Sequence, residues 1–104
     1  MIYYYHYTAR KNIDKIFKNG VFKSDSNYTK DEYYNARNAS MYLGIPIESV
    51  EAVLKFADDG YFINRGLVAD SNRYLGGGSQ YEHRRGNLKP IALRNIQSTN
   101  WENL

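Results

Sequence analysis

Aromatic and β-branched residues open the chain almost without interruption, and Ile2 to Tyr7 predicts a strand. Alternation along it places Tyr4, His6 and Thr8 on one face and Tyr3, Tyr5 and Tyr7 on the other. Thr8 then reads as an N-cap, with Ile13, Ile16 and Phe17 recurring at helical spacing until Asn19-Gly20 supplies a stop. Val21-Phe22 predicts a short strand, and Lys23 to Tyr28 a polar loop. Thr29-Lys30-Asp31-Glu32 has the capping-box pattern, opening a helix that runs to about Leu43 and ends at Gly44.

Pro46 suits the first turn of a further helix, along which Ile47, Val50, Val53, Leu54 and Ala57 form an apolar stripe. Glu51 and Lys55 add a favourable pair at i,i+4. A strand through Val50, Ala52, Leu54 and Phe56 competes with this reading, and the helix is preferred. Asp58-Asp59-Gly60 predicts a turn, and Tyr61 to Ala69 a strand interrupted at Gly66. Asp70 to Gly78 is a loop, and Gly76-Gly77-Gly78 suggests a pliable hinge. Gln80 to His83 and Pro90 to Ile96 predict the last strands, joined by the basic loop 84–89. The polar tail from Gln97 is expected to fray unless Trp101 anchors it. The expectation is one α+β domain spanning residues 1–104, with early helices packed on a split antiparallel sheet.

At 104 residues the chain has room for one modest core. Eleven tyrosines supply most of the aromatic surface, suited to a small core and to stacking on bases alike. A formal charge of +3 fits an anionic ligand, yet falls short of a dedicated nucleic-acid module. The absence of Cys excludes thiol catalysis and disulfides, and two His argue against a strong metal site. No apolar run approaches membrane-spanning length and no signal peptide is read at the start. The expectation is a soluble protein with no membrane partner, acting in the cytoplasm of a producing or target cell.

Two polar constellations lie at opposite ends of the chain. His6 and Thr8 share a strand face, where an imidazole and a hydroxyl can enter one cleft. Gln80 and Glu82 share a face of a later strand, with Tyr81 and His83 on the other. A carboxylate or amide there is placed to steady charge on a sugar carbon during glycosidic cleavage. The ordinary alternatives are a satisfied core histidine, a helix cap and an exposed polar strand.

Tyr5-His6-Tyr7-Thr8, followed by a short helix ending in Asn19-Gly20-Val21, resembles the opening of ADP-ribosyltransferase-like toxin domains. Gly76 to Glu82 is similar to the glycine-rich loop and catalytic strand of related NAD-cleaving toxins. The resemblance implies a small ADP-ribosyltransferase-like fold with NAD as substrate. It implies that His6 and Thr8 position the dinucleotide, with Tyr7 touching nicotinamide, and that Gln80 or Glu82 serves the scissile ribose. Arg65 and Arg37 are candidates for the pyrophosphate, Arg65 ranking higher, and Tyr42 and Tyr61 for stacking on nicotinamide. ADP-ribose would pass to water (a glycohydrolase) or to a protein or nucleic-acid acceptor (a transferase). Such domains often travel as the C-terminal part of a larger secreted carrier and meet a neutralising immunity protein.

Two other classes compete. His6 and His83, with Arg84, Arg85 and Lys89, could form a metal-independent ribonuclease, although strand parity turns His83 away from Gln80 and Glu82. A non-catalytic immunity or antitoxin-like binding module is the third reading.

Overall fold

The computed structural model describes residues 1–13, 28–84 and 88–104. The expected helix positions Ile16 and Phe17, the stop at Asn19-Gly20, the strand Val21-Phe22, most of the polar loop before Tyr28, and Arg85 lie outside the described residues. Six strands and one complete α-helix are described: β1 (Tyr3–Thr8), α1 (Ala36–Leu43), β2 (Ala52–Ala57), β3 (Phe62–Leu67), β4 (Ser79–His83), β5 (Ala92–Asn95) and β6 (Glu102–Asn103). Residues 10–13 are also helical, where the sequence predicts a helix after β1. A 3-10 turn, Ile47–Ser49, precedes β2. All strand pairs are antiparallel, in a four-stranded sheet ordered β1-β2-β5-β6 and a two-stranded sheet β3-β4. The architecture is α+β. Among the described residues no helix is long and apolar enough to cross a membrane.

The four-stranded sheet is buried on both faces. On one side Tyr4, Ala52, Leu54, Phe56 and Leu93 pack with Tyr28 and receive Phe62 and Tyr81 of the smaller sheet. On the other, Tyr5, Tyr7, Val53 and Ile96 receive Ala36, Ala39 and Leu43 of α1. This double burial explains why Ile47 to Ala57 is not the expected helix. Ala52, Val53, Leu54 and Phe56 are all fully buried, so the run is apolar without alternating, and periodicity alone cannot tell it from a helix. β2 pairs residue by residue with β1, from Tyr3 opposite Ala57 to Thr8 opposite Ala52. The anticipated Glu51–Lys55 pair does not form: Glu51 accepts the backbone N–H of Arg10, and the Lys55 ammonium lies 4.1 Å from the centre of the Tyr3 ring.

The capping box at Thr29 is also overturned. Thr29 exchanges both backbone hydrogen bonds with Tyr5, and the helix starts seven residues later. Its N-cap is Asn35, whose extended backbone and Oδ1, accepting from the N–H of Asn38 at 2.8 Å, satisfy the first turn. Gly44 closes α1 by donating its N–H to the carbonyl of Ser40, as the sequence predicts. Thr8 is the last residue of β1 rather than a cap, and its hydroxyl accepts from the Asn12 amide.

Tyr28 and Thr29 join the two sheets. Tyr28 exchanges backbone hydrogen bonds with Tyr81 of β4, and Thr29 does so with Tyr5 of β1. Two adjacent residues thus stitch the edge of one sheet to the edge of the other.

The C-terminal tail is pinned rather than frayed. β6 pairs with β5, and Trp101 stacks on Tyr5 with ring centres 5.8 Å apart. Beside it lies Arg94, only 1% exposed. Its guanidinium donates to the carbonyls of Asn95, Ile96 and Ser98 at 3.0–3.3 Å, and to that of Tyr33 at 2.6 Å. The ring of Tyr34 faces it at 4.3 Å and that of Trp101 at 4.9 Å. A buried cation is costly unless its donors are satisfied; carbonyls take Nη1 and Nη2 and aromatic faces add to the compensation, while Nε is buried without a hydrogen bond.

Arg94→Ala leaves those carbonyls buried without their donor and removes the contact surface of the tail. It is expected to lower stability by about 3 kcal/mol in urea unfolding followed by circular dichroism. A loss well under 1 kcal/mol would show that Arg94 does not hold the tail.

Candidate functional site

Three pieces of chain far apart in sequence form one cleft of about 270 Å³. Tyr5, His6 and Tyr7 come from β1, Tyr28 and Thr29 from the stitch, and Ser79 and Gln80 from β4. Leu43, Ile45 and Val68 close the apolar side. The lining residues lie at or after the bridged Tyr5 on β1, and before the bridged Tyr81 on β4. The cleft therefore opens where the stitch ends.

The structure brings His6, Tyr7 and Gln80 together here. His6 is half-buried, its ring 5.8 Å from that of Tyr28. The Gln80 amide points its NH2 toward the carbonyls of Leu67 and Arg65 at 3.4 and 3.5 Å, across the irregular register between β3 and β4. These bonds are long and hold the amide loosely. Tyr7 is an architectural member of the wall: its hydroxyl donates to the carbonyl of Asp31 at 2.8 Å and accepts the N–H of Tyr33 at 2.7 Å. Burial drives its phenol well above the usual tyrosine range.

The remaining sequence candidates lie elsewhere. Glu82 is outside the cleft lining; both Nε and Nη2 of Arg65 donate to one of its carboxylate oxygens, the Nε bond measuring 2.7 Å. That contact holds the carboxyl below its ordinary range and occupies Arg65, which is thereby no free phosphate clamp. Thr8 is buried, with its hydroxyl engaged by Asn12. Tyr42 stacks on Tyr33 at 5.6 Å, outside the lining, and Tyr61 is 43% exposed beside His83. Arg37 lines a separate groove beyond α1. His83 is in the interior, 1% exposed by side chain, with Nε2 bonded to Asp59 at 2.8 Å. Partial burial alone would raise the Asp59 carboxyl, but the bonds from His83 and the Tyr61 N–H outweigh it and hold it low. A ribonuclease pairing His6 with His83 has no shared site in this arrangement.

Sequence reasoning missed Thr29 and Ser79, which line the cleft with hydroxyls, and Asp31 and Tyr33, which support them from behind. The hydroxyls of Thr29 and Ser79 share a bond of 2.8 Å, and Ser79 also accepts the N–H of Lys30. One oxygen of Asp31 accepts the N–H of Ser79 at 2.8 Å and the hydroxyl of Tyr33 at 3.1 Å. The only signal was Thr29-x-Asp31, which reads equally as a helix cap and here forms a turn closed by the Asp31 N–H on the Thr29 hydroxyl.

The glycine run is a clamp and not a pliable hinge. Gly76 and Gly78 donate their N–H groups to the carbonyls of Met41 and Tyr42 at the end of α1, while Gly77 donates to Val68. A methyl at Gly78 would lie 2.8 Å from Cδ2 of Leu43 and 2.9 Å from the carbonyl of Tyr42. At Gly76 it would meet the Val68 carbonyl at 2.6 Å, on a backbone with φ of +68°. Glycine is needed at 78 because the chain lies against the end of α1, and at 76 because it lies against the Val68–Ala69 backbone.

Comparison with protein-family models, with curated proteins and with solved structures finds no match.

Gly78→Ala is expected to cost about 2 kcal/mol through overpacking, measured by thermal or urea unfolding. If the substitution were tolerated without loss, the run would be a hinge after all. A second expectation concerns alkaline pH. Tyr5, Tyr7 and Tyr33 all have phenols raised by burial, Tyr5 to about 12 against an ordinary 10.0. A raised folded value means the fold holds the proton more tightly, so this stabilisation is complete below pH 10 and is lost as pH climbs toward and past 12. Absorbance at 295 nm should show these phenols ionising together with unfolding, whereas independent titration near 10 in the intact fold would contradict their burial.

Proposed function

We propose that the cleft takes the nicotinamide–ribose end of NAD and that the chain cleaves the bond between them. The observation that carries this reading is the convergence of His6 and Gln80, from opposite ends of the sequence, on one cleft. The resemblance of Tyr5-His6-Tyr7-Thr8 to ADP-ribosyltransferase-like toxin domains, and of Gly76 to Glu82 to NAD-cleaving ones, supports it. So does the size of the cleft, which lies just under the roughly 300–1,000 Å³ usual for small-molecule sites and suits a ring with its sugar.

In this reading the apolar wall of Leu43, Ile45 and Val68 and the ring of Tyr28 accept the flat nicotinamide, while His6 hydrogen-bonds a ribose hydroxyl. The bond from the ribose anomeric carbon to the pyridinium nitrogen breaks, its electron pair leaving with neutral nicotinamide. Positive charge develops on the sugar, and the carbonyl end of the Gln80 amide offers a negative dipole toward it. Water, or the nucleophile of a macromolecular acceptor, then adds to the same carbon and gives up its proton to solvent. Glu82 has no part in this scheme, since Arg65 neutralises it outside the cleft.

Nicotinamide release from NAD by the purified chain tests the proposal. Gln80→Ala is expected to lower turnover about a hundredfold, through loss of the one amide dipole facing the developing charge, without lowering the melting temperature. His6→Ala is expected to act mainly on KM, and Glu82→Ala to leave turnover within a few-fold. No nicotinamide release by the unaltered chain, or full activity in Gln80→Ala, would overturn the reading. RNA cleavage lost in His83→Ala would replace it with a nuclease, and binding without cleavage with a recognition module.

A further inference from the structure

Beside Arg37, Ser40 and Met41 of α1, a second groove of about 400 Å³ is charged where the cleft is not. The cleft is lined by no Arg, Lys, Asp or Glu. The groove presents two guanidinium groups, Arg37 from the first turn of α1 and Arg73 from the loop before the glycine run, together with the ring of Tyr74. Both arginines are exposed, and neither side chain has a hydrogen bond or ion pair among the described residues. Four other described cations are occupied: Arg65 by Glu82, Arg94 by carbonyls, Lys30 and Lys55 by aromatic rings.

Glu48, in the 3-10 turn, lines the same groove but forms no ion pair with either arginine, so two positive charges face one concavity against a single negative one. The loop carrying Arg73 is not slack. The Ser71 hydroxyl accepts the N–H groups of Arg73 and Tyr74, and the Ser71 N–H donates to the Tyr74 carbonyl at 2.9 Å. Two residues on, Gly76 is bonded to Met41 of α1, which itself lines the groove. Both arginines are therefore carried on segments fastened to the same helix.

We propose that this groove is a second, separate binding site for a phosphomonoester of nucleotide size. Arg37 and Arg73 clamp the phosphate and Tyr74 stacks on the base. Guanidinium groups match phosphate oxygens bidentately, and a tyrosine ring adds a face for any base. The proposal does not rest on NAD cleavage, because the groove shares no lining residue with the cleft.

Calorimetric or NMR titration of the whole chain with AMP, adenosine and inorganic phosphate tests it. AMP is expected to bind saturably, more tightly than phosphate or adenosine alone, and to weaken as salt rises. Arg37→Gln and Arg73→Gln should each weaken AMP roughly tenfold or more, the value of one charge-assisted bond. Glu48→Gln should tighten it, a gain that a damaged fold would not produce. Gln80→Ala should leave it unchanged, whatever becomes of NAD cleavage. Absence of saturable AMP binding at millimolar concentration, indifference to both arginine substitutions, or loss in Gln80→Ala would each overturn the second site.

Discussion

The cleft exists because Tyr28 and Thr29 hand the backbone hydrogen bonds of one sheet edge to another. Tyr28 is paired with Tyr81 and Thr29 with Tyr5, so β1 and β4 are held at a fixed separation by a single intervening dipeptide. An open sheet edge is a line of unpaired donors and acceptors that must be satisfied. Here the satisfaction is local, and beyond the stitch the edges face the cleft instead. His6 and Gln80 meet there for that reason.

Two further interactions keep the stitch in place. Arg94 bonds the Tyr33 carbonyl to the turn after β5, anchoring the chain that leaves Thr29 for α1. The carboxylate of Asp31 holds the first N–H of β4 and the Tyr33 hydroxyl together. Both are polar groups inside an aromatic environment, where an unmet bond is expensive and a met one fixes geometry. The glycine run completes the frame by allowing β4 to begin directly against the end of α1. A site whose walls come from five separate segments thus gains its rigidity from backbone carbonyls more than from side-chain packing.

Much of the strand content was legible, and the reasons are physical. β1, β3, β4 and β5 lie in stretches bounded by turn residues, and their alternation or β-branched content exposes them. The parity argument for β4 was sound, since Tyr81 packs toward Tyr4 and His83 lies buried. β2 was misread because burial on both faces erases alternation. The start of α1 was misread because Thr29 is wanted by β1, a demand made by Tyr5, 24 positions away. The role of Arg94 was invisible, since nothing local distinguishes a guanidinium that will be buried from one left in water. For the site, the sequence indicated the two ends that meet but not the floor between them. It also overvalued Glu82, whose partner Arg65 lies across a strand pair that only the register reveals.

The central claim is that β1, the stitch and β4 make one recognition surface for a flat ring attached to a sugar. Amide shift mapping by NMR with added nicotinamide, which the reaction would release and not consume, tests it most directly. The account predicts shifts clustered at residues 5–7, 28–29 and 79–80, with little change near Arg37 and Arg73. Shifts confined to the Arg37–Arg73 groove, or none at millimolar nicotinamide, would contradict it.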